Sequence, residues 1–190
     1  MKLLKDKILQ NGYVIGEDIL KVDSFLNHQM DVELFNKIGK EFQSLFAGHD
    51  INKILTIEAS GIALAAITSQ YFNNIPVVFA KKTESVNLDD DLYYSEVYSF
   101  TKQKSYKIMV SKKYINQEDK ILIIDDFLAN GKALLGLKEI IHQADATLVG
   151  AGIVIEKGFQ EGGDIIRSMG IHVESLAIVH SMKNGRIVFK

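Results

Sequence analysis

At 190 residues, with 47% hydrophobic and 24% charged positions, the chain has the composition of a globular protein and the length of one domain. Its formal net charge of −2 and the lack of any basic run argue against nucleic acid or a membrane surface as partner. It has no cysteine, which excludes disulfides and thiol chemistry and fits a cytoplasmic setting, and no stretch approaches the about 18 apolar residues of a membrane span.

In MKLLKDKILQ, Asp6 and Lys7 interrupt the apolar run, and Leu3, Leu4, Lys7 and Ile8 follow helical spacing. A short amphipathic helix is expected there, not a signal peptide. Residues 20–29, LKVDSFLNHQ, have neither helical nor strand periodicity. Asp31 can cap a helix over 31–47, where Val32, Phe35, Ile38, Phe42, Leu45 and Phe46 mark one buried face. Residues 53–57 (KILTI) read as a strand, 61–72 as a helix and 76–80 as a second strand, with Pro76 at its permitted first position. The segment 83–119 is polar and rich in tyrosine. Residues 83–95 read as a long loop, and 96–101 with 106–111 as a candidate hairpin. Then follow a strand over 120–125, a helix over 131–143, a strand over 147–156, a short helix near 163–169, and strands over 172–179 and 186–189.

Alternating strands and helices predict an α/β fold with a mainly parallel sheet covered on both faces. Ligands of such sheets bind beyond the carboxyl ends of the strands. The chemistry is therefore expected just after Ile57, Ala80, Ile124 and Ile155, and polar residues do follow each of them. Glu58-Ala59-Ser60-Gly61 is a small-residue turn into a helix, which is either an anion site or an ordinary capped turn. Lys81 and Lys82 can neutralise an anion or simply face solvent; strand alternation favours Lys82. In ILIIDDFLANGKA, residues 121–133, two carboxylates (Asp125, Asp126) end a buried strand, and a helix starts five residues later at Gly131. Sugar hydroxyls donate well to carboxylates, and the bare amides of a helix start favour phosphate. Those features together suit a phosphorylated ribose. Alone, the pair also reads as a solvated strand end. Lys157 follows the next core strand, where its ammonium can enter a ligand cleft or solvent, with Phe159 two residues on.

The 121–131 segment is similar to the ribose-phosphate signature D-D-x-x-x-T-G of type I phosphoribosyltransferases, with Asn130 in place of the threonine. The likeness extends through LKVDSFLNHQ, VYSFTKQ at 97–103 and GIVIEKGFQ at 152–160, and points to the xanthine-using purine branch of that family. It implies the type I phosphoribosyltransferase fold as one domain over 1–190. A small hood would come from about 1–30 with the C-terminal strands, and a flexible lid from about 83–99. It implies transfer of the 5-phosphoribosyl group from phosphoribosyl pyrophosphate (PRPP) to xanthine in purine salvage, by a cytoplasmic homodimer. Asp125 and Asp126 would serve the ribose hydroxyls. Ala129, Asn130, Gly131, Lys132 and Ala133, with Ser60 and Lys82, would bind PRPP, and Leu20, Asn27, Lys157 and Phe159 the base. Mg²⁺ would accompany PRPP without direct protein ligands, through water near the acidic pair. The alternative is a regulator of the same fold that binds PRPP or nucleotide without turnover.

Overall fold

The computed structural model describes residues 1–82, 91–99 and 104–190. The chain runs α1 (Lys2–Asn11), β1 (Tyr13–Ile15), β2 (Ile19–Lys21), a π-helical turn (Asp23–Asn27), α2 (Val32–Leu45), β3 (Lys53–Ile57), α3 (Ser60–Gln70), β4 (Val77–Ala80), β5 (Leu92–Ser99), β6 (Lys104–Ser111), β7 (Lys120–Leu128), α4 (Lys132–Gln143), β8 (Thr147–Lys157), α5 (Gly162–Ser168), β9 (Val173–Ser181) and β10 (Val188–Phe189). The central sheet has the order β10-β9-β8-β7-β3-β4. Its strands are parallel except β10, which runs antiparallel to β9 at one edge.

Residues 121–124 of β7 are all apolar because both sheet faces are covered there. Leu122 and Ile124 join one core cluster with Leu4, Phe35, Ile38 and Phe42 of α1 and α2. Ile121 and Ile123 point the other way, to Leu134, Leu137 and Ile140 of α4 and to the β5–β6 hairpin. α1 is tied to the far edge of the sheet: the Met1 ammonium donates to the Leu176 carbonyl at 2.6 Å, and Lys5 Nζ to the Lys190 carbonyl at 2.7 Å.

The expected loop over 83–99 ends earlier than the sequence suggested. Residues 92–99 form β5, paired from Leu92↔Ser111 to Ser99↔Lys104, while 83–90 lie outside the described residues. The strand escapes an apolar count because only Val97 of its inward face is a buried hydrophobe, beside half-buried Tyr93 and Ser95. The strand expected over 186–189 is shorter too: a turn at Lys183–Gly185, with Asn184 and Gly185 at positive φ, leaves pairing only at Val188–Phe189. The β1–β2 hairpin within the irregular N-terminal segment is an element that periodicity did not reveal.

α2 starts where the sequence placed its cap. The Asp31 carboxylate accepts the Leu34 amide at 3.0 Å and the Lys7 ammonium of α1 at 2.8 Å. These bonds hold its carboxyl below the ordinary 3.8. The stability they supply is complete above pH 3.8 and is lost as pH falls through the lower folded-state value. Asp31→Ala should therefore lower the unfolding free energy by about 1–2 kcal/mol at pH 7 in urea denaturation. The gap between variant and wild type should close as the titration is carried into acid.

Candidate active site

β7 pairs with β3 only as far as Leu55↔Ile123, whereas its pairing with β8 continues to Leu128↔Glu156. The strand therefore extends three residues past the expected end at 125, and the acidic pair lies inside it. On the β3 side the ladder has stopped, and the gap so opened is a cavity of about 220 Å³. Its walls include Asp125, Asp126, Glu58, Ser60, Lys82 and Tyr106. A larger cavity, about 600 Å³, opens between β4 and β6 around Val78 and Met109. None of its lining residues is a carboxylate, whereas the smaller cavity holds the acidic pair.

The two carboxylates differ sharply in setting. Asp125 is 5% exposed. Burial, and then the charge of Asp126, push its carboxyl well above the ordinary 3.8, with Lys82 pulling the other way. Its Oδ1 accepts the Asp126 amide at 3.0 Å. Asp126 is half-buried. Its Oδ1 accepts the Phe127 amide at 2.9 Å, and its Oδ2 accepts the side-chain amide of Asn27. Asn27 sits at the end of the π-helical turn and also donates to Ser60 Oγ at 3.3 Å. One side chain from the N-terminal segment thus reaches both the β3–α3 turn and the acidic pair.

The Lys82 ammonium lies over the Tyr106 ring, 5.6 Å from its centroid, and the Lys82 amide donates to Glu58. Burial and the nearby Asp125 charge push the Tyr106 phenol up from 10. At the other end of the site Gly131, with φ +76°, takes the left-handed conformation that glycine adopts without strain and precedes α4 as its N-cap. No side chain caps this helix, so Asn130 does not do so. The amides of its first turn have no intrahelical acceptors, and an anion can take them.

Of the residues singled out from sequence, Asn27, Ser60, Lys82, Asp125, Asp126 and Ala133 meet at the cavity. Ala129, Asn130, Gly131 and Lys132 form the adjoining turn into α4. Three base candidates lie off the cavity wall. Leu20 is buried in β2 and Phe159 packs half-buried against the same apolar cluster. Lys157 does not project into the 220 Å³ cavity: its ammonium donates to the Asp18 carbonyl in the β1–β2 turn at 2.5 Å, and burial lowers its pKa. Glu58 and Tyr106 are cavity residues to which the sequence reading gave no role. The signal for Tyr106 was its alternation with Ile108 and Val110, which puts the three on one face of β6.

A phosphoribosyl transferase domain model matches residues 23–167, a span that contains the acidic pair, the turn and the cavity. The chain belongs to the phosphoribosyltransferase family. It is 66% identical to the xanthine phosphoribosyltransferase of Ruminiclostridium cellulolyticum over 100% of this chain and 99% of that one. It is 64% identical to the protein of that name from Clostridium novyi and 62% to that from Clostridioides difficile, each over the full length of both chains. Among solved structures, the adenine phosphoribosyltransferase of Giardia lamblia complexed with 9-deazaadenine superposes with a TM-score of 0.78 at 19% identity, over 93% of this chain and 98% of that one. The Trypanosoma brucei adenine enzyme, in complex with AMP, pyrophosphate and ribose 5-phosphate, gives 0.76 at 18% identity, over 92% and 78%. Both share the phosphoribosyltransferase fold, a mostly parallel sheet flanked by helices.

Asp125 holds its proton more tightly folded than unfolded. That group is neutral to folding below its unfolded value near 3.8 and opposes folding increasingly as pH rises through its folded value. Asp126→Asn removes the neighbouring charge and relieves part of this opposition. At pH 7 the unliganded variant should melt about 2–4 °C above wild type, the shift that about 1 kcal/mol makes in a chain of this size. Calorimetry at pH 4 and pH 7 checks this, since the difference should be smaller at the lower pH.

Proposed function

We propose that this chain transfers the 5-phosphoribosyl group from PRPP to xanthine, giving xanthosine 5′-monophosphate and pyrophosphate, as a step of purine salvage. The observation that carries it is full-length identity of 62–66% to xanthine phosphoribosyltransferases, joined to a cavity where an acidic pair meets an uncapped helix start. Displacement of pyrophosphate from C1 of a ribose passes through an oxocarbenium-like state, as glycoside cleavage does. No nucleophilic side chain is needed; the protein orients the reactants and stabilises charge.

Asp125 and Asp126 accept hydrogen bonds from the ribose hydroxyls, and their negative charge favours the cationic sugar. Residues 129–133 take the 5′-phosphate on their backbone amides. Ser60 and the Lys82 ammonium face the pyrophosphate, and the Tyr106 ring holds that ammonium over the cavity. Carboxylate oxygens are the hard donors that Mg²⁺ prefers, and it needs few of them because phosphates and water complete its shell. The acidic pair would hold Mg²⁺ through water, with no direct protein ligand; among the described residues no group of three or more His, Cys, Asp or Glu is placed to hold a metal ion. When bound, Mg²⁺ neutralises charge on the departing pyrophosphate.

Leu20, Asn27, Lys157 and Phe159 form the base side, under a hood built from about 1–30 and the C-terminal strands. The Met1–Leu176 and Lys5–Lys190 bonds support this hood as part of a single domain over 1–190. The Asn27 amide exchanges its 3.3 Å bond to Ser60 for the C2 oxygen of xanthine, and the Lys157 ammonium leaves the Asp18 carbonyl for the other carbonyl of the base. The family resemblance is the ground for a cytoplasmic homodimer; separately, no helix among the described residues is long and apolar enough to cross a membrane.

Pyrophosphate release from PRPP and Mg²⁺, followed with xanthine, guanine, hypoxanthine, adenine and uracil, should be fastest with xanthine. Asp126→Asn should reduce kcat with xanthine by about a hundredfold or more, the scale on which charge-stabilising groups act. Release with none of the five bases would make the chain a PRPP-binding protein without turnover. Asn27→Ala should cut kcat/KM for xanthine at least about tenfold more than for hypoxanthine, which lacks the C2 oxygen. An unchanged ratio would remove Asn27 as the reader of that oxygen.

A further inference from the structure

Behind the 129–133 turn lies a set of contacts that none of these roles uses. Glu156, one residue before the end of β8, is 3% exposed. Its carboxylate takes the Arg167 guanidinium fork to fork, Nη1 at 2.8 Å and Nη2 at 2.7 Å, and also accepts the Ser175 hydroxyl. Arg167 stands in the last turn of α5, so the pair pins that helix to β8. The other end of α5 is pressed against the turn with backbone on backbone. A Cβ added at Gly162 would lie 2.1 Å from the Ala129 carbonyl oxygen and 2.5 Å from the Gly131 nitrogen. One added at Gly163 would lie 2.2 Å from Glu156 Oε1. With no side chain in between to absorb it, a shift of α5 passes directly to the turn.

The pair is buried at Glu156 and about a third exposed at Arg167, and against burial, which pushes the other way, its attraction holds the Glu156 carboxyl below its ordinary value. It is a good device for fixing distance, because the planar guanidinium fork accepts one arrangement. We propose that the Glu156–Arg167 pair is a positioning device for the sugar 5-phosphate: through Gly162 it sets the 129–133 turn at the spacing its amides need. This rests on the phosphate role given to that turn above.

Three variants and two measurements test it. Arg167→Met removes the fork, Arg167→Lys keeps the charge without the fork, and Gly162→Ala leaves the pair intact but intrudes on the turn. Arg167→Met and Gly162→Ala should each raise KM for PRPP and Kd for ribose 5-phosphate by about tenfold or more, while KM for xanthine stays as in wild type. Arg167→Lys should fall between. If Arg167→Met does not fold, Arg167→Lys, which keeps the charge and loses the fork, gives the reading. Amide exchange of the wild-type protein with ribose 5-phosphate separates the two ideas. Protection at 129–133 together with unchanged ribose 5-phosphate affinity in Arg167→Met and Gly162→Ala would overturn the positioning role and leave the phosphate role standing. So would KM values for PRPP and xanthine that rise together, the mark of general damage. Protection elsewhere, with none at 129–133, would overturn both.

Discussion

Two adjacent carboxylates on a buried strand repel each other, and the site is arranged around that repulsion. Asp125 has lost its water, and its neighbour's charge is one residue away. The protein answers with fixed donors: the Asp126 and Phe127 amides, the Asn27 side chain and the Lys82 charge. What remains unrelieved is available to a ligand. A ribose offers hydroxyl donors, its reacting carbon becomes positive, and a hard cation accompanies the phosphates. In the proposed reaction each of these would relieve the same crowded charge, and the ligand would bind where the empty protein is least comfortable.

This frustration survives because the rest of the fold is conventional and well packed. The parallel sheet is sandwiched between two apolar clusters, with α1, α2 and α3 on one face and α4, α5 and the β5–β6 hairpin on the other. The opening at the rim arises from a single departure from regularity. β7 leaves β3 after Ile123 but stays with β8 to Leu128, which carries the acidic pair past its former neighbour. A β3 ladder continuing past Leu55↔Ile123 would have paired those residues and closed the cavity.

The sheet was legible in the sequence because strands covered on both faces read as continuous apolar runs, as ILII at 121–124 does. The α2 helix was legible because Phe35, Ile38, Phe42 and Phe46 share one buried face, whereas Val32 and Leu45, read as part of that face, are exposed. The acidic pair and its glycine could be placed because a strand, a short loop and a helix start have fixed geometry. What escaped has physical reasons. Three-residue strands such as β1 and β2 show too few alternations to register, and Tyr13, Ile15 and Ile19 in them are exposed. The charge on Asp125 and Asp126 suggested a strand end, whereas burial on the β8 side carries the strand on. The direction of Lys157 depends on a partner 139 residues away in sequence, and no local pattern encodes that. Glu58 and Tyr106 come to the cavity on two separate sheets that only the tertiary fold brings together.

The single side chain that joins the N-terminal segment to the acidic pair limits how this scaffold can be retuned. Solved neighbours that handle adenine share its architecture at under 20% identity, so the frame tolerates wide drift while the preferred purine changes. Leu20 and Phe159 belong to the apolar cluster beside the rim and carry no hydrogen bond to the acidic pair. Position 27 is different: any residue that replaces Asn27 inherits the task of donating to Asp126. A directed-evolution campaign that randomises the hood for another base would find that position the slowest to move.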